Sequence, residues 1–341
     1  MKLHSLLFIG LLAVVFAGVA FWRLLDHDLD RRSSEPFDVI SSDKVVSGTL
    51  WLPDGAAQAA VVLVHGDGPQ DRTSAGGYAP LINAFLDSRI AVASWDKPGI
   101  GGSDGNWLHQ SMADRAAETR IALDQLTQRF DDAAIGAVGF SQAGWVLPRL
   151  TSDDADFLVL IGPAVSWQDQ GDYYMRTRLK RNGMGDDAIA QALADANRDD
   201  ERVFGAAAQP GDAPDGMSQD RWRFIRENRD EDARQALAQL NLPLLAIWGA
   251  DDLNVDTATD AATYRRLLGD RLDGTQIIVW PMATHSLLKA DAYNWQLTED
   301  WSRFATLRFV AEGRHAFAPG ALEAITEWIG ERANRSLRAE N

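Results

Sequence analysis

The sequence has 341 residues, of which 46% are hydrophobic and 24% charged, as expected for a globular protein long enough to bury a large core. Its formal net charge is −16 without a basic cluster, which argues against nucleic-acid binding, because phosphate contacts need clustered Lys and Arg. It contains no cysteine, which excludes disulfides, thiolate metal ligands and a cysteine nucleophile.

Residues 1–25 have the character of an export signal or a membrane anchor. Lys2 precedes an uncharged stretch over residues 6–22, and charged residues resume at Arg23. A positive start followed by an apolar stretch is typical of a signal peptide, and the stretch approaches the ~20 residues that cross a bilayer. A buried helix is the alternative. We predict an exported protein, periplasmic or extracellular, that is either cleaved near residues 18–20 or held at the inner membrane by residues 6–22.

The elements that follow alternate between strands and helices. Residues 26–40 are polar at first and then read Ser-Ser-Glu-Pro, which predicts a linker. Apolar, often β-branched runs predict strands at residues 45–52, 59–64, 90–95, 135–138, 157–161, 242–249 and 275–280. Amphipathic segments predict helices at residues 78–86, 111–130, 261–268 and 320–332. This alternation indicates an α/β protein with a mainly parallel sheet.

Two segments interrupt the alternation. Residues 167–240 contain no strong strand but several short helical patches and a Gly/Pro-rich break near residue 211. We interpret this segment as a helical insertion that covers a site. Residues 286–319 are irregular and rich in aromatic side chains, and a connection of that length is usually functional or disordered.

The strand predicted at residues 135–138 runs into the sequence Gly-Phe-Ser-Gln-Ala-Gly, which contains Ser141. A strand, a tight turn with a serine at its apex and a following helix are typical of a nucleophile elbow. Small residues are required at Gly139, Ala143 and Gly144, because strand and helix approach closely there. The alternative is an ordinary strand-to-helix connection in which the serine is an N-cap.

A serine nucleophile needs a histidine base and a carboxylate that orients it. Of the six histidines, His285 directly follows the last predicted strand, and His315 is the other candidate. Asp251 and Asp252 both follow the strand at 242–249. The chain order of serine, aspartate and histidine is that of the α/β-hydrolase fold.

Three loops carry a family resemblance. Residues 65–72 read HGDGPQDR, which resembles the H-G-S-G-P-x-D-R loop of certain bacterial esterases. Residues 96–103 resemble their D-x-x-G-x-G-x-S turn, and residues 249–255 resemble their G-x-x-D-x-x-V acid loop. The chain thus resembles an α/β-hydrolase of the serine-aminopeptidase or acyl-esterase type.

The resemblance implies a mostly parallel, doubly wound sheet with a helical cap inserted between strands 6 and 7. The core would comprise residues 41–166 and 241–341, and the cap residues 167–240. The acid loop selects Asp252 over Asp251. No cofactor and no metal ion are implied.

The same resemblance places the oxyanion hole at the backbone N–H groups of Asp67 and Gln142. Asp67 replaces a serine of the family loop, and a carboxylate aimed at a developing negative charge would oppose catalysis. We therefore expect the Asp67 side chain to point away from the hole, towards Arg72. Ala143 replaces the common glycine of the elbow, where only small size is required.

Three functions remain open from the sequence. The first is an exported serine esterase that cleaves a small acyl ester with Ser141, His285 and Asp252. The second uses the same triad as an aminopeptidase on peptides, or as an acyltransferase or thioesterase. The third is a catalytically silent, membrane-tethered binding protein, for which Asp67 is the best support. The oligomeric state is left open.

Overall fold

An eight-stranded sheet forms the centre of the computed structural model, which describes residues 18, 23–41 and 44–339. In spatial order its strands are β1 (Ser33–Pro36), β4 (Gly48–Leu52), β6 (Ile90–Trp95), β5 (Ala59–Val64), β7 (Ala134–Phe140), β8 (Phe157–Ile161), β9 (Leu244–Gly249) and β10 (Gln276–Trp280). A separate antiparallel pair is formed by β2 (Val39–Ser41) and β3 (Lys44–Val46).

The sheet is parallel from β6 to β10 and antiparallel only at the edge formed by β1, β4 and β6. All six residues of β5 are buried, because parallel strands are covered on both faces. Val61 and Leu63 contribute to one apolar cluster, and Val62 and Val64 to the other. The carboxyl ends of the parallel strands meet at one edge of the sheet, where the chemistry of such folds is usually found.

Helices cover both faces of the sheet and also lie beyond its edge. They are α1 (Ala79–Asp87), α2 (Met112–Arg129), α3 (Trp167–Arg181), α4 (Asp186–Phe204), α5 (Gln219–Asn228), α6 (Arg234–Gln239), α7 (Thr257–Leu268), α8 (Ala290–Tyr293), α9 (Arg303–Glu312) and α10 (Ala321–Ala339). Phe85 of α1 and Ile325 of α10 lie in one apolar cluster. Leu123 of α2 and Tyr264 of α7 lie in the other. The doubly wound α/β architecture predicted from the sequence is confirmed.

Helix α2 illustrates how local sequence sets an element. It begins at Met112 because the Ser111 hydroxyl accepts the N–H of Asp114 while the Asp114 carboxylate accepts the N–H of Ser111, a reciprocal capping arrangement. Ala122, Leu123 and Leu126 then form its buried face.

The linker predicted over residues 26–40 is wrong. Ser33–Pro36 form β1, which pairs antiparallel with β4, and the buried Asp26 accepts a hydrogen bond from Arg314 Nε at 2.8 Å. An edge strand tolerates polar residues and proline, since one side of its backbone faces solvent. It therefore lacks the apolar alternation by which strands are recognised.

Two further elements differ from the prediction. The strand predicted at 45–52 is divided between β3, which pairs with β2, and β4, which pairs with β1 and β6. Between them the Ser47 N–H donates to the Ser103 hydroxyl at 2.8 Å and not to a strand. Helix α9 lies within the segment predicted to be irregular. Phe304 and Leu307 of α9 are 74% and 68% exposed, which removes the usual separation of polar and apolar faces.

Helices α3 to α6 lie between β8 and β9 and contact loops at the carboxyl edge of the sheet. The Tyr173 hydroxyl of α3 donates to the carbonyl oxygen of Asp252 at 2.8 Å. Asn228 of α5 accepts the N–H of Met112 at 3.0 Å. Residues 6–22, predicted to be a signal or an anchor, lie outside the described residues except for Gly18. Among the helices of the described ranges, none is both long and apolar enough to cross a bilayer.

Candidate active site

Ser141 lies at a strained turn directly after β7. It starts a short 3₁₀ helix, Ser141–Trp145, with a φ of +49°, a left-handed conformation that is uncommon outside glycine. A Cβ on Gly139 would lie 2.6 Å from Ala143 Cβ, and one on Gly144 would lie 2.8 Å from Pro163 Cβ. The small residues are therefore required by packing, and the turn has the geometry of a nucleophile elbow.

Asp252 is the carboxylate that meets His285. The Asp252 Oδ2 atom lies 2.7 Å from His285 Nδ1, and the carboxylate is fully buried. Its Oδ1 atom accepts the N–H groups of Asn254 at 2.7 Å and Val255 at 3.1 Å. These bonds hold the carboxylate in one orientation, while the neighbouring Asp251 is exposed.

The electrostatics of the pair suit a general base. Burial lowers the pKa of His285, but the charge of Asp252 and its hydrogen bond outweigh this effect, so the pKa is raised above its ordinary value. Because Nδ1 is directed at the carboxylate, the neutral ring carries its proton there and leaves Nε2 as the proton acceptor.

The His285 ring packs against Gly162, the residue that follows β8. Ile161 pairs with Phe140, which precedes Ser141, so Gly162 follows the strand that lies next to the elbow strand. Gly162 has a φ of +60°, and a Cβ there would lie 2.9 Å from His285 Cε1. No hydrogen bond joins the Ser141 hydroxyl to His285 within the described ranges; without substrate such bonds are often long.

The other histidines have different environments. His65 is buried, and its Nε2 atom lies 2.6 Å from the carbonyl oxygen of Trp95. Burial, reinforced by the charge of Lys97, lowers the pKa of His65 to about 3, so the ring is neutral. His315 lies on a short 3₁₀ helix, Gly313–Ala316. The histidine that contacts Asp252 is His285.

The loop after β5 contains Asp67, one of the two residues predicted to form the oxyanion hole. A Cβ on Gly66 would lie 3.4 Å from Ser141 Cβ, so this loop borders the nucleophile. Gln142 is the second residue of its 3₁₀ helix, where the N–H has no intrahelical partner. Within the described residues, neither the Asp67 N–H nor the Gln142 N–H donates to a protein acceptor. Two such donors beside a nucleophile are what an oxyanion hole requires.

The Asp67 carboxylate does not contact Arg72, so that expectation is wrong. Arg72 binds Asp96 instead, with Nη2 2.8 Å from Oδ2. Asp67 Oδ1 accepts a hydrogen bond from Gln142 Nε2 at 3.0 Å, and its Oδ2 lies 3.8 Å from Arg221 of α5. An amide and a guanidinium therefore offset the negative charge at the oxyanion loop.

Two buried basic side chains behind this loop, Arg115 and Lys97, were not predicted from the sequence. Arg115 donates to the Gln142 side-chain oxygen at 2.6 Å and to the His65 carbonyl oxygen at 2.5 Å. Lys97 donates to two carbonyl oxygens of the loop. Arg115 could have been found, because it occupies the buried stripe of α2 at helical spacing from Met112 and Thr119.

Within the described ranges, neither a group of metal-ligating side chains nor the cleft beside α6 coincides with these residues. No three His, Asp or Glu side chains are grouped to share a metal ion within residues 23–41 and 44–339. A cleft of about 800 Å³ is lined by Trp145, Arg149 and Glu231 but by no residue of the serine, histidine and aspartate set.

The family model described as "Serine aminopeptidase, S33" matches residues 55–291 of the chain. The chain belongs to this family. The resemblance noted from the three loops is thereby confirmed, and the protein is assigned to a hydrolase family with the α/β-hydrolase fold.

Solved structures agree on the fold of this S33-family hydrolase. An esterase from Pyrococcus furiosus is 14% identical, with a TM-score of 0.58 over 89% of this chain and 91% of that one. A lipase in an open form is 15% identical, with a TM-score of 0.52 over 89% of this chain and 100% of that one. Est1E from Butyrivibrio proteoclasticus, with bound ferulic acid, is 14% identical, with a TM-score of 0.51 over 89% and 99%. At these identities the likeness shows the fold alone.

Proposed function

We propose that the protein is an exported serine hydrolase that cleaves carboxylic esters through an acyl-enzyme intermediate. The observation that carries this proposal is the hydrogen bond between Asp252 and His285 at the sheet edge where Ser141 occupies a left-handed turn. Esterase and lipase neighbours of the same fold support the substrate class by analogy.

The geometry supports the following sequence of steps. Ser141 Oγ attacks the ester carbonyl carbon while His285 Nε2 takes the hydroxyl proton, and Asp252 stabilises the resulting imidazolium. The N–H groups of Asp67 and Gln142 bind the oxygen of the tetrahedral intermediate. His285 then gives its proton to the departing alcohol. Water repeats the cycle on the acyl-enzyme and releases the acid.

A fluorophosphonate probe tests the nucleophile. The wild-type protein should be labelled covalently, whereas Ser141→Ala should not. Ser34→Ala, which removes an exposed hydroxyl on β1, is the matched control and should be labelled like the wild type. Equal labelling of the wild type and Ser141→Ala would exclude Ser141 as the nucleophile. Absent labelling together with no turnover of esters, thioesters or amides would favour the binding-protein function.

An aminopeptidase is the second candidate, because the family description names that activity and the Asp67 carboxylate is 51% exposed beside the oxyanion loop. A substrate ammonium would need such a carboxylate, but Gln142 and Arg221 already engage it. Ester hydrolysis is therefore the better supported activity. Short p-nitrophenyl esters and aminoacyl-nitroanilides should be compared, and preferential cleavage of the anilides would favour the aminopeptidase.

We also propose that residues 6–22 attach the protein to a membrane. The stretch is uncharged, and the Arg23 carbonyl oxygen lies 2.8 Å from the position of a Cβ on Gly313, at the end of α9. The exposed Phe304 and Leu307 on α9 would then lie near the lipid.

Fractionation of cells that express the full chain tests this attachment. We expect the protein in the membrane fraction, with its core accessible to protease from the non-cytoplasmic side. Leu12→Asp, within the apolar stretch, should release it or block export, because a charge there opposes insertion. Recovery of the wild-type protein in the cytoplasm would contradict the proposal.

A further inference from the structure

Lys97 is a buried amine that faces the back of the oxyanion loop. Lys97 is only 3% exposed. Its Nζ atom donates to the carbonyl oxygens of Gly66 at 2.6 Å and Gly68 at 2.8 Å. Its Nζ atom also lies 5.2 Å from the centre of the Trp107 ring. No carboxylate lies within ion-pair distance of Nζ among the described residues.

A buried amine without a carboxylate partner is costly to a fold. Burial lowers the pKa of Lys97 well below its ordinary value, and the charge of Arg115 adds to the effect. The two hydrogen bonds can form whether or not Lys97 is protonated, because an ammonium has three N–H donors and a neutral amine has two. In either protonation state, Nζ therefore donates to the carbonyl oxygens of Gly66 and Gly68.

The Gly66 carbonyl belongs to the same peptide unit as the Asp67 N–H. The described backbone contains no cis peptide bond, and in a trans peptide the C=O and N–H groups point in opposite directions. With the carbonyl oxygen held by Lys97, the Asp67 N–H points away from Lys97. Gly66 lies on the loop after β5 and is adjacent to Ser141. The Gly66–Asp67 peptide unit is therefore the one whose N–H is predicted to line the oxyanion hole.

The residues around this peptide unit leave the opposite orientation sterically accessible. Asp67 lies between Gly66 and Gly68, and Gly68 has a φ of +86°. A flip of the Gly66–Asp67 peptide unit changes ψ of Gly66 and φ of Asp67, and glycine at position 66 gives this rotation more freedom than another residue would. If this unit flipped, a carbonyl oxygen would face the developing oxyanion and repel it.

We propose that Lys97 is a positioning residue for ester hydrolysis, which holds the Gly66 carbonyl so that the Asp67 N–H stays in the oxyanion hole. The inference rests on the proposed function, since it assigns Lys97 to the same reaction. Arg115 supports the preceding peptide in the same way through the His65 carbonyl.

Lys97→Met tests the role, because methionine keeps a similar length but has no donor. Loss of a single oxyanion donor lowers kcat by roughly 10²–10³-fold, and a mobile donor should cost less, about 10- to 100-fold. We expect this loss in kcat at nearly unchanged KM for a p-nitrophenyl ester. An alkylboronic acid, which forms a tetrahedral adduct, should bind more weakly by a similar factor. Lys97→Arg, which retains donors, should recover part of kcat.

Arg332→Met is the matched control. Arg332 is also a buried cation, 7% exposed, but it packs against Gly274 near the amino end of β10, at the opposite edge of the sheet. Its removal should leave kcat unchanged. If Lys97→Met does not fold, Lys97→Gln, which keeps one donor group, should fold and still show a lower kcat at similar KM.

The outcomes separate the inference from the proposed function. Absence of ester turnover by the wild type would contradict the proposed function. Wild-type turnover with unchanged kcat in folded Lys97→Met would overturn only the role of Lys97. A loss confined to KM, or a loss of kcat without weaker boronic-acid binding, would also overturn it.

Discussion

Asp252→Asn should remove most of the activity while preserving the fold, because asparagine has almost the same shape. The Oδ1 atom of Asp252 accepts two backbone N–H groups, from Asn254 and Val255. In the variant the amide oxygen must take this place, since an NH₂ group cannot accept these bonds. The NH₂ group is then forced towards His285 Nδ1.

That arrangement reverses the tautomer of His285. Nδ1 must now accept a hydrogen bond, so the neutral ring carries its proton on Nε2 and has no lone pair for the Ser141 proton. The same substitution in a serine protease triad lowers kcat by about 10⁴-fold. This factor corresponds to about 5.4 kcal/mol of transition-state stabilisation, and we expect a loss of similar size here.

Initial rates with a p-nitrophenyl ester across pH 5–9 provide the assay, with thermal unfolding as the check on the fold. Asp251→Asn is the matched control, because Asp251 is exposed and adjacent, and its activity should equal that of the wild type. A loss below about tenfold in a folded Asp252→Asn variant would refute the tautomer argument. A large loss of activity in Asp251→Asn would indicate that Asp251, and not Asp252, is the acid that orients the histidine.

Three other predictions follow from the structure. Activity requires neutral His285, whose pKa is raised, so kcat/KM should fall as the pH drops through a value above about 6.5; a midpoint below that value in a pH–rate profile would contradict this assignment. Gly162→Ala places a Cβ 2.9 Å from His285 Cε1 at a φ of +60°; it should lower kcat and cost about 1–3 kcal/mol of stability, and wild-type values of both would oppose the packing argument. Burial raises the pKa of Asp260 to about 7, so the stabilisation from its protonated form is complete below about pH 4 and is lost as the pH rises through 7; Asp260→Asn should raise the Tm at pH 8 but not at pH 4, and an equal change at both values would be inconsistent with titration of Asp260.

Local sequence determined most of the sheet. The bounds predicted for β5, β6 and β8 agree with the structure, because strands covered on both faces appear as continuous apolar runs. β1 and α9 were missed for the converse reason. A polar edge strand and a helix with Phe304 and Leu307 exposed do not show the periodicity of their secondary structure.

The sequence by itself also determined where the candidate site lies. Ser141, Asp252 and His285 follow three parallel strands, and the carboxyl ends of such strands meet at one edge. Tertiary structure decided the rest. The hydrogen bond between Asp252 and His285, the partners of the Asp67 carboxylate and the position of Lys97 depend on contacts between segments far apart in the chain. Local spacing carries no information about such contacts, because they arise only when separate loops pack together.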